Sequence, residues 1–376
     1  MSAEARRRWV AVAGLAAVLA LLAGLVRSGG LPPTDDGTAS ASPRALLRRA
    51  LASDGVAHTA LGQSRGTLGL PNLPGLGAVA ELLGGTTRTR VWWTAPGQWR
   101  VDVLTATGER GMYGTPQGVV AWDYERRRLQ TVVGEPDVRL PRADDLLAPQ
   151  AARRLLSGVG PADVVERLPA ARIGGRDADG LRVRPAERGS TIGAAQVWVD
   201  RASGLPLRLR VLDRAGTESL VTELSDVRLE RPSAAVTTPP TPPGVSDDVV
   251  TAPDLAAAVD QRAPWQLPSR LAGLPVTRSP LAGSASYGRG LVRFTVLPLP
   301  GRIAGDITAN ARSAGATELS VPGGLAYRVS PSLLDAVVVQ ADDGEHAYLV
   351  AGLVTPDVLT EAVRELLSDP PPRRFP

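Results

Sequence analysis

Residues 197–213 read VWVDRASGLPLRLRVLD. Asp200 to Gly204 is a run of turn formers between two apolar stretches. Beyond it Leu205, Leu207, Leu209 and Val211 alternate with Pro206, Arg208 and Arg210. A period of two puts the leucines on one face of a strand and the arginines on the other. That is the pattern of an antiparallel strand with one covered and one wetted face.

The pattern spreads outward from there. Leu181 and Val183 oppose Arg182 and Arg184; Trp99, Val101 and Val103 share a face, as do Val120, Trp122 and Tyr124. Ala95-Pro96-Gly97, Thr107-Gly108 and Thr115-Pro116-Gln117-Gly118 are turn signals between such runs, which predicts a meander. Helices are expected over 43–53 and 142–157, giving a broad sheet with helices on one face. A second α+β unit is expected beyond residue 250, with strands over 290–297, 325–329, 336–340 and 347–353. Its helices are expected over 253–260 and 302–313, and Asp342-Asp343-Gly344 should turn its last hairpin. Thr355-Pro356 caps a closing helix that buries Val358, Leu359, Ala362, Val363 and Leu366.

Composition shifts set the boundaries. Residues 1–27 read as a cytoplasmic stub and membrane anchor, and 28–43 as a flexible tether. Residues 44–230 form the ligand-binding unit; 231–250, with Thr238-Pro239-Pro240-Thr241-Pro242-Pro243, form a stiff linker. Residues 251–368 form the second unit, and 369–376 read as a disordered tail.

The anchor rests on Trp9 to Val26, eighteen residues without a charge after Arg6, Arg7 and Arg8. As a helix they rise about 27 Å, close to the roughly 30 Å hydrocarbon core. The arginines keep the N-terminus cytoplasmic, so the bulk of the chain is expected outside a single-pass cell-membrane anchor. Ala39-Ser40-Ala41, a small-x-small site, lies well beyond the apolar core, which argues for an uncleaved helix. That location excludes cytosolic nucleotides and nucleic acid as partners.

The 376 residues include no cysteine and two histidines, His58 and His346, and the net charge of +4 is carried by arginine alone. Disulfides and thiolate metal sites are thereby excluded. Gly62-Gln63-Ser64-Arg65-Gly66 matches a serine nucleophile elbow, which needs a strand before it and a helix after it. Thr67-Leu68-Gly69-Leu70-Pro71 does not start a helix, so a hydrolase using Ser64 is a minor alternative. Gly75-Leu76-Gly77-Ala78-Val79-Ala80 lacks the preceding strand of a dinucleotide fingerprint. Asp144-Asp145 suits a helix start and Asp342-Asp343 a turn. Gly69 to Gly85 is apolar and Gly-rich with one charge, Glu81; it is either core filler or a lid over a hydrophobic cleft.

These stretches together resemble a known family. The opening helix, the strand pair around Trp99–Val103, YGTPQGVVAWDYERRRLQTV (113–132) and VWVDRASGLPLRLRVLD resemble the LolA/LolB-type lipoprotein-carrier fold. With LAGL (271–274), YGRGLVRFTVLPLP (287–300) and YLVAGLVTPDVLTEAVREL (348–366), the layout is similar to the sigma-E regulatory RseB/MucB group. The resemblance implies a strongly curved half-barrel with a concave apolar face for acyl chains, helices as a lid, no catalysis and no cofactor. It also implies a lipid or acylated ligand and an anti-sigma factor, or another membrane protein, as partner. The expected function is a membrane-anchored extracytoplasmic lipid or lipoprotein sensor of envelope stress, the alternative a lipid or lipoprotein carrier. Trp92, Trp99, Val101, Trp122, Leu207 and Leu209 are candidate walls of the ligand site, and Leu76 and Leu82 candidate lid residues.

Overall fold

The computed structural model describes residues 42–67, 77–105, 108–134, 141–241, 243–245, 247–251, 265–277, 284–299, 305, 308 and 316–373. The apolar segment Trp9–Val26, the tether to residue 41, the helix expected over 253–260 and most of that over 302–313 lie outside them. Among the described residues no helix is long and apolar enough to cross a membrane.

Helix α1 (Pro43–Leu51) starts where Ser42 caps it, accepting a hydrogen bond from the Ala45 amide, with Pro43 in the first turn. It buries Leu46, Leu47 and Ala50. β1 (His58–Gly66), α2 (Gly77–Gly84), β2 (Thr86–Ala95), β3 (Gln98–Leu104), β4 (Glu109–Thr115), β5 (Gly118–Asp123) and β6 (Arg128–Val133) follow. A 3-10 turn (Ala143–Leu146) and α3 (Ala148–Ser157) lead into β7 (Val164–Ile173), β8 (Arg176–Arg184), β9 (Ile192–Asp200), β10 (Pro206–Asp213) and β11 (Glu218–Arg228). The two meanders join where β11 pairs with β1, so the sheet runs β6-β5-β4-β3-β2-β1-β11-β10-β9-β8-β7, antiparallel throughout. The sheet is curved. Register shifts at Thr59/Leu61, Trp93/Ala95, Leu168/Ala171 and Pro206/Arg208 supply bends of the kind that β-bulges introduce.

Directly paired residues share a face. His58 faces Trp93, Trp93 faces Trp99, and farther along Thr222 faces Leu209 and Leu209 faces Val197. This face is covered by helices. Ala152, Leu155 and Leu156 of α3 and Leu46, Leu47 and Ala50 of α1 pack with Leu181, Val183, Val197, Leu209 and Val211. Leu147 and Ala148 pack with Trp93, Trp99, Val101 and Leu207. The Thr222 hydroxyl donates to the Leu146 carbonyl at 2.5 Å and pins the 3-10 turn to the sheet.

The opposite face holds the arginines, laced to acids. Arg208 pairs with Glu223 at 2.6 Å, Arg210 with Glu218, and Arg184 with Glu166 at 2.5 Å. The basic strand face expected from sequence is therefore an ion-pair ladder.

The proline-rich run crosses the sheet instead of leaving it. Pro232 is buried, and the one-turn helix α4 (Ala234–Thr237) lies against β2 and β3. Val245 packs on Tyr113, Val120, Trp122 and Leu129, and β12 (Asp247–Thr251) pairs in parallel with the edge strand β6. Residues 247–250, expected in the linker, thus form part of a twelfth strand.

The second sheet orders β13 (Arg270–Leu271), β14 (Leu274–Thr277), β15 (Ala285–Arg289), β16 (Val292–Pro298), β20 (Ala347–Gly352), β19 (Asp335–Ala341), β18 (Gly324–Val329) and β17 (Thr317–Val321). Helix α5 (Pro356–Ser368) buries Leu359, Ala362, Val363 and Leu366 on it. Leu291 and Leu333 of this unit lie inside the core of the first sheet. Ser190 donates to the Leu291 carbonyl at 3.1 Å, and Thr191 to that of Leu333 at 2.5 Å. The chain after α5, read as a free tail, folds back as far as Arg373. The Gln266 amide donates to the Pro372 carbonyl at 2.8 Å, and the Arg373 guanidinium lies 5.4 Å from the Trp265 ring. Main-chain pairing and cation–π contact hold it there.

Candidate functional site: a cavity between the sheet and α3

A cavity of about 610 Å³ opens between the helix-covered face and α3. It lies at the strand ends carrying the β2–β3 and β4–β5 turns, with Pro96, Gly97 and Thr115 to Gly118 at its rim. Trp93 and Trp99 line it. Their rings stack 5.7 Å apart at 5°, His58 stacks on Trp93 at 6.4 Å, and the Arg142 guanidinium sits 5.9 Å from Trp99. Gly114, opposite Trp99, makes room for the indole: a Cβ there would lie 2.1 Å from its ring nitrogen.

Helix α3 forms the other wall with Gln150, Arg153, Arg154 and Ser157. These positions are spaced i, i+3, i+4, i+7, one stripe of a helix. The apolar stripe Ala148, Ala152, Leu155 and Leu156 faces the sheet core. The 3-10 turn adds Arg142, Asp144 and Asp145. Arg142 pairs with Asp144 at 3.0 Å and Arg154 with Asp145 at 2.8 Å. The two carboxylates flagged in the sequence thus hold arginines, and the Asp145 side chain also accepts the Arg142 amide at 2.8 Å. Arg153 makes no ion pair or hydrogen bond among the described residues. Burial lowers its pKa to about 10, only partly offset by Asp54. Among the described residues, the buried side-chain amide of Gln150 has no hydrogen-bond partner at either Nε2 or Oε1. His58 is buried too; burial, aided by the charge on Arg153, lowers its pKa to about 4 against the opposing effect of the Val56 carbonyl bonded to Nδ1.

The fold expected from the resemblance, an opening helix, a curved antiparallel sheet with covering helices and a smaller second unit, is the architecture observed. The chain is similar to MucB. The structure of MucB in complex with MucA(peri) shares 20% identity, covers 88% of this chain and 99% of that chain, and has a TM-score of 0.46. The MucA/MucB complex of Pseudomonas aeruginosa shares 19% identity over 85% of this chain and 96% of that one, at 0.45. A LolA superfamily protein from Nitrosomonas europaea shares 11% identity over 53% of this chain and 99% of that one, at 0.25. No family model matches the chain, and no curated protein does.

The structure gathers some of the wall candidates and separates others. Trp99, Val101 and Leu207 share one core cluster, and Leu209 lies in the adjoining one. Of these Trp99 reaches the cavity. Trp92 and Trp122 fall on the opposite face. Trp92 pairs with Arg100, whose guanidinium lies 4.9 Å from its ring and 5.2 Å from that of Tyr113. Trp122 sits with Tyr113, Val120 and Leu129 under Val245. Leu76 lies outside the described residues; Leu82, in α2, is half-buried. Its loop leaves β1 at the Gly66 end, whereas the cavity lies at the His58 end. Eight residue steps of strand, about 26 Å, separate the two ends.

Ser64 lies mid-strand in β1, opposite Thr87 and Thr222, with its hydroxyl buried and unpartnered. No strand-to-helix elbow is formed there. Asp343 accepts the Glu345 and His346 amides in the β19–β20 turn. Among the described residues no three His, Asp or Glu side chains cluster to hold a metal. Sequence reasoning missed Trp93, Gln150 and Arg153. A helical stripe of Gln, two Arg and Ser ordinarily faces water, so only register and helix docking reveal that this one faces a cavity.

Proposed function

We propose that the chain is an extracytoplasmic sensor, anchored in the cell membrane by Trp9–Val26, that binds an acylated ligand and regulates an envelope-stress sigma pathway through an anti-sigma partner. The observation that supports ligand binding is the cavity of about 610 Å³ over the Trp93–Trp99 stack. That volume falls within the roughly 300–1,000 Å³ of small-ligand sites. The edges of the two indoles, with Pro96 and Pro116 at the rim, give the cavity apolar lining, and each methylene buried on it contributes about 0.8 kcal/mol. The partner class is brought from MucB, whose structure was solved in complex with MucA(peri).

The experiment is lipid mass spectrometry on the full chain extracted in detergent, with a Trp93→Ala/Trp99→Ala variant beside it. A stoichiometric acylated molecule in the parent, depleted in the variant, is the expected result; an equally loaded variant rejects the site. Deleting the gene should then alter transcription from envelope-stress sigma promoters. Bound lipid without any transcriptional change turns the reading to a carrier.

A further inference from the structure

Among the described residues that line the cavity, cations outnumber acids by one. Three guanidinium groups line it, those of Arg142, Arg153 and Arg154, against two carboxylates, Asp144 and Asp145. The carboxylates pair with Arg142 and Arg154. Arg153, with no ion pair among the described residues and only the field of Asp54 acting on it, lies on the α3 stripe one turn from Gln150, whose buried amide has no hydrogen-bond partner among them. Asp54 offsets only part of the cost of sheltering the Arg153 charge, and a bound anion would compensate the rest. An unsatisfied buried amide in a native cavity points the same way. Both groups face the wall formed by Trp93 and Trp99.

We infer that this cavity takes an anionic amphiphile, its carboxylate or phosphate head held by Arg153 and Gln150 and its apolar body against Pro96, Pro116 and the edges of Trp93 and Trp99. The inference rests on reading the cavity as the ligand site and adds the charge of the ligand to it. The guanidinium fork presents two parallel N–H donors to two oxygens of the head, and the Gln150 Nε2 supplies a third. A neutral lipid could accept a hydrogen bond but would leave the Arg153 charge without a counter-charge from the ligand. A cationic one would meet Arg153 directly. His58, next to Trp93 and within the field of Arg153, is held neutral by burial and adds no second charge.

The test is calorimetry on the full chain in phosphatidylcholine nanodiscs, with empty nanodiscs subtracted. The probes are decanoate, decyl phosphate and decanol. Decanoate or decyl phosphate should bind the parent at least about tenfold more tightly than decanol, and the tighter of the two tells a fatty-acid source from a phospholipid one. R153Q should lose about tenfold to a hundredfold for the anions and little for decanol. R153K, which keeps the charge without the fork, should fall between. In the absence of probe R153Q should melt no lower than the parent, because it removes a half-buried charge that Asp54 compensates only in part. Equal binding of decanol and the anions by the parent overturns the anionic head and leaves the apolar site standing. Unchanged anion affinity in folded R153Q overturns the role of Arg153. Absence of binding by any probe overturns the cavity as a ligand site as well. Should R153Q fail to fold, the parent's anion-to-decanol ratio and R153K still decide.

Discussion

At the residue scale, charge placement follows from strand parity. Trp92 and Trp93 are neighbours with opposite fates. Trp93 stacks between His58 and Trp99 on the helix-covered face; Trp92 flanks Arg100 on the other. Burial works against the Arg100 charge, but bonds of 2.8 and 2.6 Å to the buried Asp102 carboxylate outweigh it and raise its pKa. His58 has no such compensation. Its pKa falls from 6.5 to about 4, so the folded state favours the neutral ring. The unfolded chain then binds more protons between those values. The contribution is whole above about pH 6.5 and is lost as the pH falls towards 4, amounting to roughly 3 kcal/mol at most. Urea unfolding at pH 7 and pH 4.5 should show the loss, and His58→Phe should flatten it. A pH slope in His58→Phe equal to the parent's would place the proton elsewhere.

At the element scale, α3 and the strap do the positioning. Helix α3 is amphipathic in the usual way, yet its polar stripe is turned into a cavity by the 3-10 turn and the Thr222–Leu146 bond before it. The strap from Pro232 to Thr251 closes over the Tyr113–Trp122 cluster through Val245 and covers the edge of β6 with β12. An uncovered edge strand invites pairing with another chain. Val245→Asp should release the strap, because a carboxylate cannot lie on that apolar cluster without loss of solvation. The expected cost is about 1 kcal/mol for this half-buried side chain, with faster amide exchange in β6. Exchange in β6 identical to the parent's would mean that β12 holds without Val245. Helix α2 is placed by close approach: a Cβ at Gly66 would meet the Leu83 carbonyl oxygen at 2.0 Å. That contact keeps Leu82 at the far end of β1 from the cavity.

At the scale of the whole molecule, the two sheets share a core. Leu291 and Leu333, 2% and 4% exposed, come from the second unit and pack among Leu155, Val197 and Leu209 of the first. Inter-unit contacts of this kind couple stability as well as orientation. We propose that the first unit folds alone when it retains β12, so a chain of residues 42–252 should be soluble, β-rich and cooperative in unfolding. It should be less stable than the full chain by about 3 kcal/mol, the order expected for uncovering the surfaces under two leucines. Leu333→Asp in the full chain should reproduce much of that loss. A chain of residues 42–252 as stable as the parent would show that the shared leucines contribute little, and an insoluble one would show that the units are a single folding body.

The sequence by itself determined the local pieces. The alternation around Leu207 and Arg208, the turn at Asp200–Gly204, the opening helix from Pro43 and the stripe Leu359, Ala362, Val363 and Leu366 were legible because each depends on residues a few positions apart. Strand parity told that Trp99 and Val101 go together. Only the tertiary structure decided what lies opposite them. Pairing joins residues far apart in sequence, and a one-residue difference in register moves a side chain to the other face. That is why Trp93 lines the cavity while Trp92 and Trp122 do not. The proline run read as a spacer, since nothing local in it marks Val245 as a contact. Nothing local singles out Arg153 and Gln150 within the helix expected over 142–157, since helical periodicity reports which residues share a face and not what that face meets.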